Sequence, residues 1–334
     1  MLRYAVKRLA GLFVVLWAMS VVMFVVIRVI PGNPIAGLVG FGTPRYVIEH
    51  IKEQMGLDRP LYVQYVDYLR GLVHGDLGIS FESRLPVVSE MGRYFTASAE
   101  LVLASMVLTV PLGVILGVVS AARWRKASDG VIRLLSLVGA AAPLFWMALV
   151  FQLVFFRYLG WLPVDGRISV GVPPPRSITG FFLVDSALTL NGDAFRSSLL
   201  HILLPATVLA LNSIGVLVRQ TRASLLQVLS EDFIRTGRAK GLREWVVLFR
   251  HAMKNAAIPV VTEIGMQFGN VLGATFLVEI VFSWPGLGLY AVRAIVNLDY
   301  PAVMGVAQLF TLVYVLTNFL VDISYPLLDP RISR

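Results

Sequence analysis

Residues 101–122 read LVLASMVLTVPLGVILGVVSAA, a run with no charged side chain. A helix rising 1.5 Å per residue over this stretch covers roughly 33 Å, slightly more than the hydrocarbon core of a bilayer at ~30 Å. Backbone amides find no water inside that core, so a chain crossing it must bond them internally, and a single isolated segment can do so only as a helix. Pro111 is compatible with this, because membrane helices tolerate interior prolines that neighbours re-satisfy.

Five further stretches of the same kind follow the same logic: Leu9 to Ile27, Leu134 to Phe156, Ser197 to Val218, Ala256 to Val278 and Pro301 to Val321. Only the fifth span in chain order, Ala256 to Val278, carries an acid, Glu263. The sequence therefore predicts an all-α integral-membrane protein with six transmembrane helices. Composition agrees: 57% of the residues are hydrophobic and 15% charged, more apolar surface than one soluble core hides.

The net charge of +9 invites a nucleic-acid reading, but the charges are distributed by topology. With the chain start on the cytoplasmic side, the cytoplasmic gaps hold 17 Lys and Arg against six acids, and the external gaps hold 12 against 13. This is the positive-inside bias, and no nucleic-acid partner is needed to explain it. Both termini are then expected in the cytoplasm. Arg3, Lys7 and Arg8 precede an apolar run too long for a signal peptide and lacking a small-residue cleavage site, so it reads as a retained first span. Without cysteine the chain holds no disulfide or thiolate site, and His50, His74, His201 and His251 lack metal-ligand spacing.

Between spans one and two lies an external segment of about 65 residues, too long for a turn. In it Leu61, Tyr65, Tyr68, Leu69 and Leu72 recur at helical spacing behind Pro60, a local packing face. Residues 157–196 form a second excursion, whose apolar piece Phe181 to Leu190 is too short to span. The gap from Arg219 to Asn255 carries eight basic residues and is interrupted at Gly237 and Gly241, which predicts two or three short helices along the membrane surface.

In the fifth span Glu263, Gln267 and Asn270 stand at i, i+4 and i+7, one face of a helix, while Gly265, Gly269 and Gly273 form a second stripe about 130° away. The glycines predict close approach of another helix. The polar residues face either a wet cavity or partner groups on other helices, since lipid would penalise them. Asn212 and His201 of the fourth span and Gln308, Thr311 and Asn318 of the sixth are candidates for the same path.

Four stretches carry a family resemblance. RTGRAKGL (Arg235 to Leu242), followed by His251 and NAAIP (Asn255 to Pro259), resembles the EAA loop of ABC-transporter permeases in the variant of the dipeptide, oligopeptide and nickel importers. LDRPLYVQYVDYLRGLVHGDLGIS (Leu57 to Ser80) is similar to the external signature of the first of that family's two permease subunits. FSWPGLGLY (Phe282 to Tyr290) with Asp299, Tyr300 and Pro301, and LDPRI (Leu328 to Ile332), complete the match from end to end. The loop departs from the general EAA pattern in placing Arg235, Thr236 and Gly237 where an acid and two alanines usually stand.

The resemblance implies a type I ABC importer permease fold: residues 1–95 as first helix plus external segment, residues 96–325 as the permease domain. It implies a coupling helix comprising Phe233, Arg235, Thr236, Gly237, Arg238, Ala239, Lys240 and Gly241. Arg235, Arg238 and Lys240 are candidate partners for acids on an ATPase, although Arg238 reads equally well as a solvated charge. It further implies a second homologous permease, two cytoplasmic ABC ATPases that bind ATP and Mg, an extracytoplasmic solute-binding protein and a place in a prokaryotic inner membrane. The chain itself has no GxxxxGK[ST] phosphate loop, so no cofactor and no enzymatic activity are expected of it. Glu263, Gln267, Asn270, Asn212 and Gln308 are the expected translocation-path residues. The alternative is a self-sufficient six-span transporter or channel, which would need an inverted repeat and coupling charges at mid-membrane. An intramembrane enzyme would have His201 and Glu263 as acid–base groups but no evident nucleophile.

Overall fold

The computed structural model describes residues 2–29, 44–54 and 56–328. Among the described residues the regular structure is all helix, joined by loops, with one isolated antiparallel bridge between Ile79 and Pro86. The C-terminal LDPRI stretch lies outside them, save the backbone of Leu328.

Among the described residues five helices are long and apolar enough to cross a membrane: α1 (Leu2–Val29), α4 (Val87–Ala122), α8 (Gly192–Leu229), α11 (Met253–Val281) and α13 (Tyr300–Leu328). The third expected span is not one helix. It breaks into α5 (Ala127–Ala141) and α6 (Leu144–Phe151), which runs on as a π-helical turn to Tyr158, with a bend of 101° between them. Ala142 is extended, φ −70° and ψ 132°, and Pro143 follows it. A proline disfavours helical geometry in the residue before it, which accounts for the break there.

Shorter helices complete the chain: α2 (Arg45–Gln54) and α3 (Leu61–Val73) at one end of the bundle, α7 (Phe182–Leu188) and α12 (Leu287–Val296) at the same end, and α9 (Asp232–Ala239) with α10 (Glu244–Val246) at the opposite, basic end. The basic gap yields fewer free helices than its pattern suggests. The α8 helix extends to Leu229, and α10 continues through a π-helical stretch into α11, so only α9 lies apart. Along this continuous stretch Leu248 and Ala252 are buried, while Trp245 and Phe249 are exposed.

The α8 helix is the axis of the bundle and its most buried span. Helices α4, α5, α6, α7 and α11 all pack on it. The main core joins Leu101 and Met106 of α4, Met147 of α6, Ile202 and Leu209 of α8, Val271 and Val278 of α11, and Trp284. Close crossings rely on missing side chains: a Cβ at Gly215 of α8 would collide with the Ser136 carbonyl of α5. Helix α1 stands at the periphery against α13, with Arg8 3.1 Å from Asp322.

At the α3 end, buried polar groups fasten the loops. Arg167 pairs with Glu100 of α4, donates to the Gly180 carbonyl at 3.0 Å and lies over the Phe182 ring. Burial lowers the Arg167 pKa, and the Glu100 carboxylate opposes that shift. Asp185 accepts from the Thr179 hydroxyl and from the N–H groups of Ile178, Thr179 and Gly180. Burial pushes its carboxyl upward, but these four donors together hold it below the usual carboxylate range.

Candidate coupling loop and membrane path

The expected coupling segment is a two-turn helix held by one side chain. Ile234 is 1% exposed and sits in a small core with Val118 and Ala121 of α4, Leu225 of α8, and Val247, Ala252 and Ala256 leading into α11. Phe233, Arg235, Thr236, Arg238, Ala239 and Lys240 are all exposed. The helix therefore rests where three spans end and presents the rest of its surface outward.

Its C-terminus is fixed by backbone chemistry. The Gly241 N–H donates to the Arg238 carbonyl at 2.9 Å and the Leu242 N–H to the Gly237 carbonyl at 3.3 Å, the paired bonds of a Schellman motif. Gly241 has φ +78°, the left-handed conformation that the motif assigns to a glycine. Leu242 packs toward Gly237, where an added Cβ would meet its Cδ1 at 3.5 Å. Arg238 reaches across the turn to Glu244, donating from Nη2 at 2.7 Å and Nε at 3.2 Å. This hydrogen bonding raises the Arg238 pKa further above its already high value. Arg235 stands 3.5 Å from Asp232 on the same helix, an exposed i, i+3 pair.

A second ion pair anchors the same end. Asp129, at the start of α5, accepts from Arg222 Nε and Nη2 of α8, both at 2.9 Å, and from the Ser120 hydroxyl of α4 at 2.6 Å. Three helices are tied at one buried carboxylate. The sequence hides this, because Asp129 and Arg222 look like ordinary loop charges until α8 is extended past the membrane-length window.

The expected path residues are only partly brought together. Gln267 is buried and donates to Glu263 Oε1 at 2.8 Å, an i, i+4 bond within α11. Asn270 is exposed and belongs to a face with Met266, Gly273, Leu277 and Ile280, spaced i, i+4, i+7, i+11 and i+14. Asn212 donates to the Ala140 carbonyl of α5 at 3.4 Å, and Gln308 donates to the Tyr68 hydroxyl of α3 at 3.3 Å. His201 is buried, with Nδ1 2.7 Å from the Ser197 carbonyl. The glycine stripe splits in the same way. A Cβ at Gly265 would collide with Val321, and one at Gly269 would lie 2.6 Å from Tyr314, so both seat α13, whereas Gly273 faces open space.

One acid escapes a reading by charge-free windows. Glu279 lies in the last turns of α11, is fully buried, and accepts from the Ser98 hydroxyl at 2.6 Å and from the N–H groups of Gly288 at 2.6 Å and Leu289 at 3.2 Å. Its carboxylate thus faces the N-terminus of α12, where unpaired amides and the helix dipole favour an anion. The preceding Gly286 is required by this approach, since a Cβ there would lie against the carboxylate. The signal available was the FSWPGLGLY stretch, Phe282 to Tyr290, which begins three residues after Glu279 and supplies Gly286 and Gly288.

Comparison with known proteins agrees with this architecture. Residues 113–334 match the family model for the binding-protein-dependent transport system inner membrane component, and residues 1–116 match the model for the N-terminal part of such membrane components. The chain is 40% identical to the probable D,D-dipeptide transport system permease protein DdpB of Escherichia coli K12, over 98% of this chain and 96% of that protein. It is 40% identical to the dipeptide transport system permease protein DppB of Alkalihalophilus pseudofirmus over the full length of both. It is 36% identical to the glutathione transport system permease protein GsiC of Escherichia coli O6:H1, over 99% of each. With both family models covering it end to end, the chain belongs to the binding-protein-dependent transport system inner membrane components, as an all-α, multi-pass permease subunit of an ABC importer.

Proposed function

We propose that this permease imports small peptides, delivered by an extracytoplasmic binding protein and driven by two cytoplasmic ATPases that carry the ATP and Mg chemistry. The chain contributes half of the path, a second homologous permease the other half, and no cofactor of its own. The observation that carries the coupling role is the seat of α9: one buried Ile234 at the meeting point of α4, α8 and the approach to α11, with the remaining surface offered outward. A helix rigidly capped at Gly241 and seated on three spans transmits a push as a body, which a flexible loop does not. The basic end, with both termini, is accordingly assigned to the cytoplasm of a prokaryotic cell.

The solute class rests on the relatives, whose names specify dipeptides, D,D-dipeptides and glutathione. The path is assigned to the exposed face of α11. Asn270 on that face would be penalised against lipid, so the face borders the second permease or the wet path between the two, with Glu263 two turns nearer the basic end and its partner Gln267 turned into the bundle. The test is uptake of a labelled dipeptide into proteoliposomes holding the full complex. Transport that requires ATP and the binding protein is expected; equal uptake without either would favour a self-sufficient transporter.

A further inference from the structure

A cavity of about 700 Å³ lies between α1, α3, α4 and α13, away from the coupling loop and from the exposed face of α11. Its walls are hydrocarbon: Phe13 and Trp17 of α1, Leu72 of α3, Met91 of α4, Leu309 and Leu312 of α13. The polar side chains on the walls are Ser20 and Gln308, and each is already bonded to a tyrosine of α3, Ser20 to Tyr65 at 2.9 Å and Gln308 to Tyr68 at 3.3 Å. The cavity thus offers little to a peptide or to water, and dry apolar cavities take apolar guests.

Depth and size specify the guest. The α1 wall, Phe13 to Ser20, and the α13 wall, Gly305 to Leu312, each run about 10 Å along their helices, within the stretches long and apolar enough to span. That is the greater part of one leaflet's hydrocarbon, about 15 Å. The volume falls in the ~300–1,000 Å³ range of ligand sites. Phe13 and Trp17 are 67% and 58% exposed, so the cavity opens sideways at the α1 wall, into hydrocarbon. Amphipathic α3 lies across its end. Tyr65 and Tyr68 pack on Phe24 of α1, while Tyr62 and Val66 leave further apolar surface exposed at that end of the bundle.

We propose that this cavity is a lipid site that holds one acyl chain of a bilayer phospholipid, wedged between the peripheral helix α1 and the bundle. The chain fills the space that side chains leave open, and α3 closes the site toward the membrane surface. It is separate from the solute path and independent of the solute's identity.

Gly92 provides the test. It lines the cavity within α4, and a Cβ added there meets nothing within 4 Å, so the backbone leaves room for a side chain to start into the void. Gly11 of α1 is equally open but does not line the cavity, and serves as the control. The full transporter, purified in mild detergent, is examined by native mass spectrometry, with phosphatidylethanolamine of defined chain length as the added probe. Wild type and Gly11→Trp are expected to retain a phospholipid adduct, and Gly92→Trp to lose it. Retention by all three, or by none, overturns the site. Should Gly92→Trp fail to assemble, a phospholipid with a diazirine in its tail decides on the wild-type complex. Labelling at 88–95 and 305–312 is expected; labelling confined to the outer face of α5, or found on a partner subunit with none at these positions, would refute it.

Discussion

Arg238 grips Glu244 through two nitrogens, at 2.7 and 3.2 Å, across the left-handed turn at Gly241. The guanidinium that looks from the sequence like a free contact for an ATPase is already engaged within the chain. The pair is half exposed, so its contribution to folding is small, ~0–1 kcal/mol. Its role is then to orient α9. Arg238→Ala and Glu244→Gln are both expected to lower uptake with little change in expression, and the double variant to be no worse than either single. Additive losses in dipeptide uptake would mean that Arg238 acts on the ATPase directly.

Gly241→Val is expected to abolish coupled uptake. Space is not the obstacle, since an added Cβ meets nothing within 4 Å; the φ of +78° is, and a side chain in that conformation costs roughly 1–2 kcal/mol, more when β-branched. Gly241→Asn, which tolerates the left-handed region, should keep a substantial part of the activity. The check is ATPase stimulation by loaded binding protein, measured beside uptake; both unchanged in Gly241→Val would remove the turn from the mechanism.

Substitutions along the glycine stripe of α11 should separate by neighbour. Gly265→Leu and Gly269→Leu force a side chain into Val321 and Tyr314 of α13 and are expected to destabilise the bundle by about 1–3 kcal/mol each. Gly273→Leu enters open space and should leave thermal unfolding of the isolated subunit unchanged. Equal shifts in the three unfolding midpoints would contradict the α11–α13 seam.

Cysteine accessibility distinguishes path from packing on α11. In this cysteine-free chain, Asn270→Cys, Met266→Cys and Gly273→Cys are expected to react with a small water-soluble reagent in one nucleotide state, and Gln267→Cys to stay protected by its burial. Reaction at Gln267 with protection at Asn270 would put the path on the other side of the helix.

Much of the fold is legible in the sequence because hydrocarbon thickness and helical rise set the length of each span, and five of the six obey it. The third does not, since an apolar window averages across Ala142 and Pro143 and registers composition while the backbone breaks. Gly241 is readable because only its residue type suits the turn. The Arg222–Asp129 and Ser98–Glu279 contacts are not, as each joins residues 93 and 181 positions apart through helix packing that no local pattern encodes. The polar stripe of α11 was visible as a face, yet which part is exposed depends on where α13 sits, and Gly265 and Gly269 decide that together with Val321 and Tyr314.

The central claim, that α9 is the element seated on the ATPase, is tested most directly by photocrosslinking. A benzophenone amino acid is placed singly at Phe233, at Arg235 and, at the opposite end of the bundle, at the fully exposed Val170, in a complex that hydrolyses ATP. Adducts to the ATPase from positions 233 and 235, and none from 170, are the expected result. An ATPase adduct from position 170, or none from 233 and 235 in an active complex, would contradict the account.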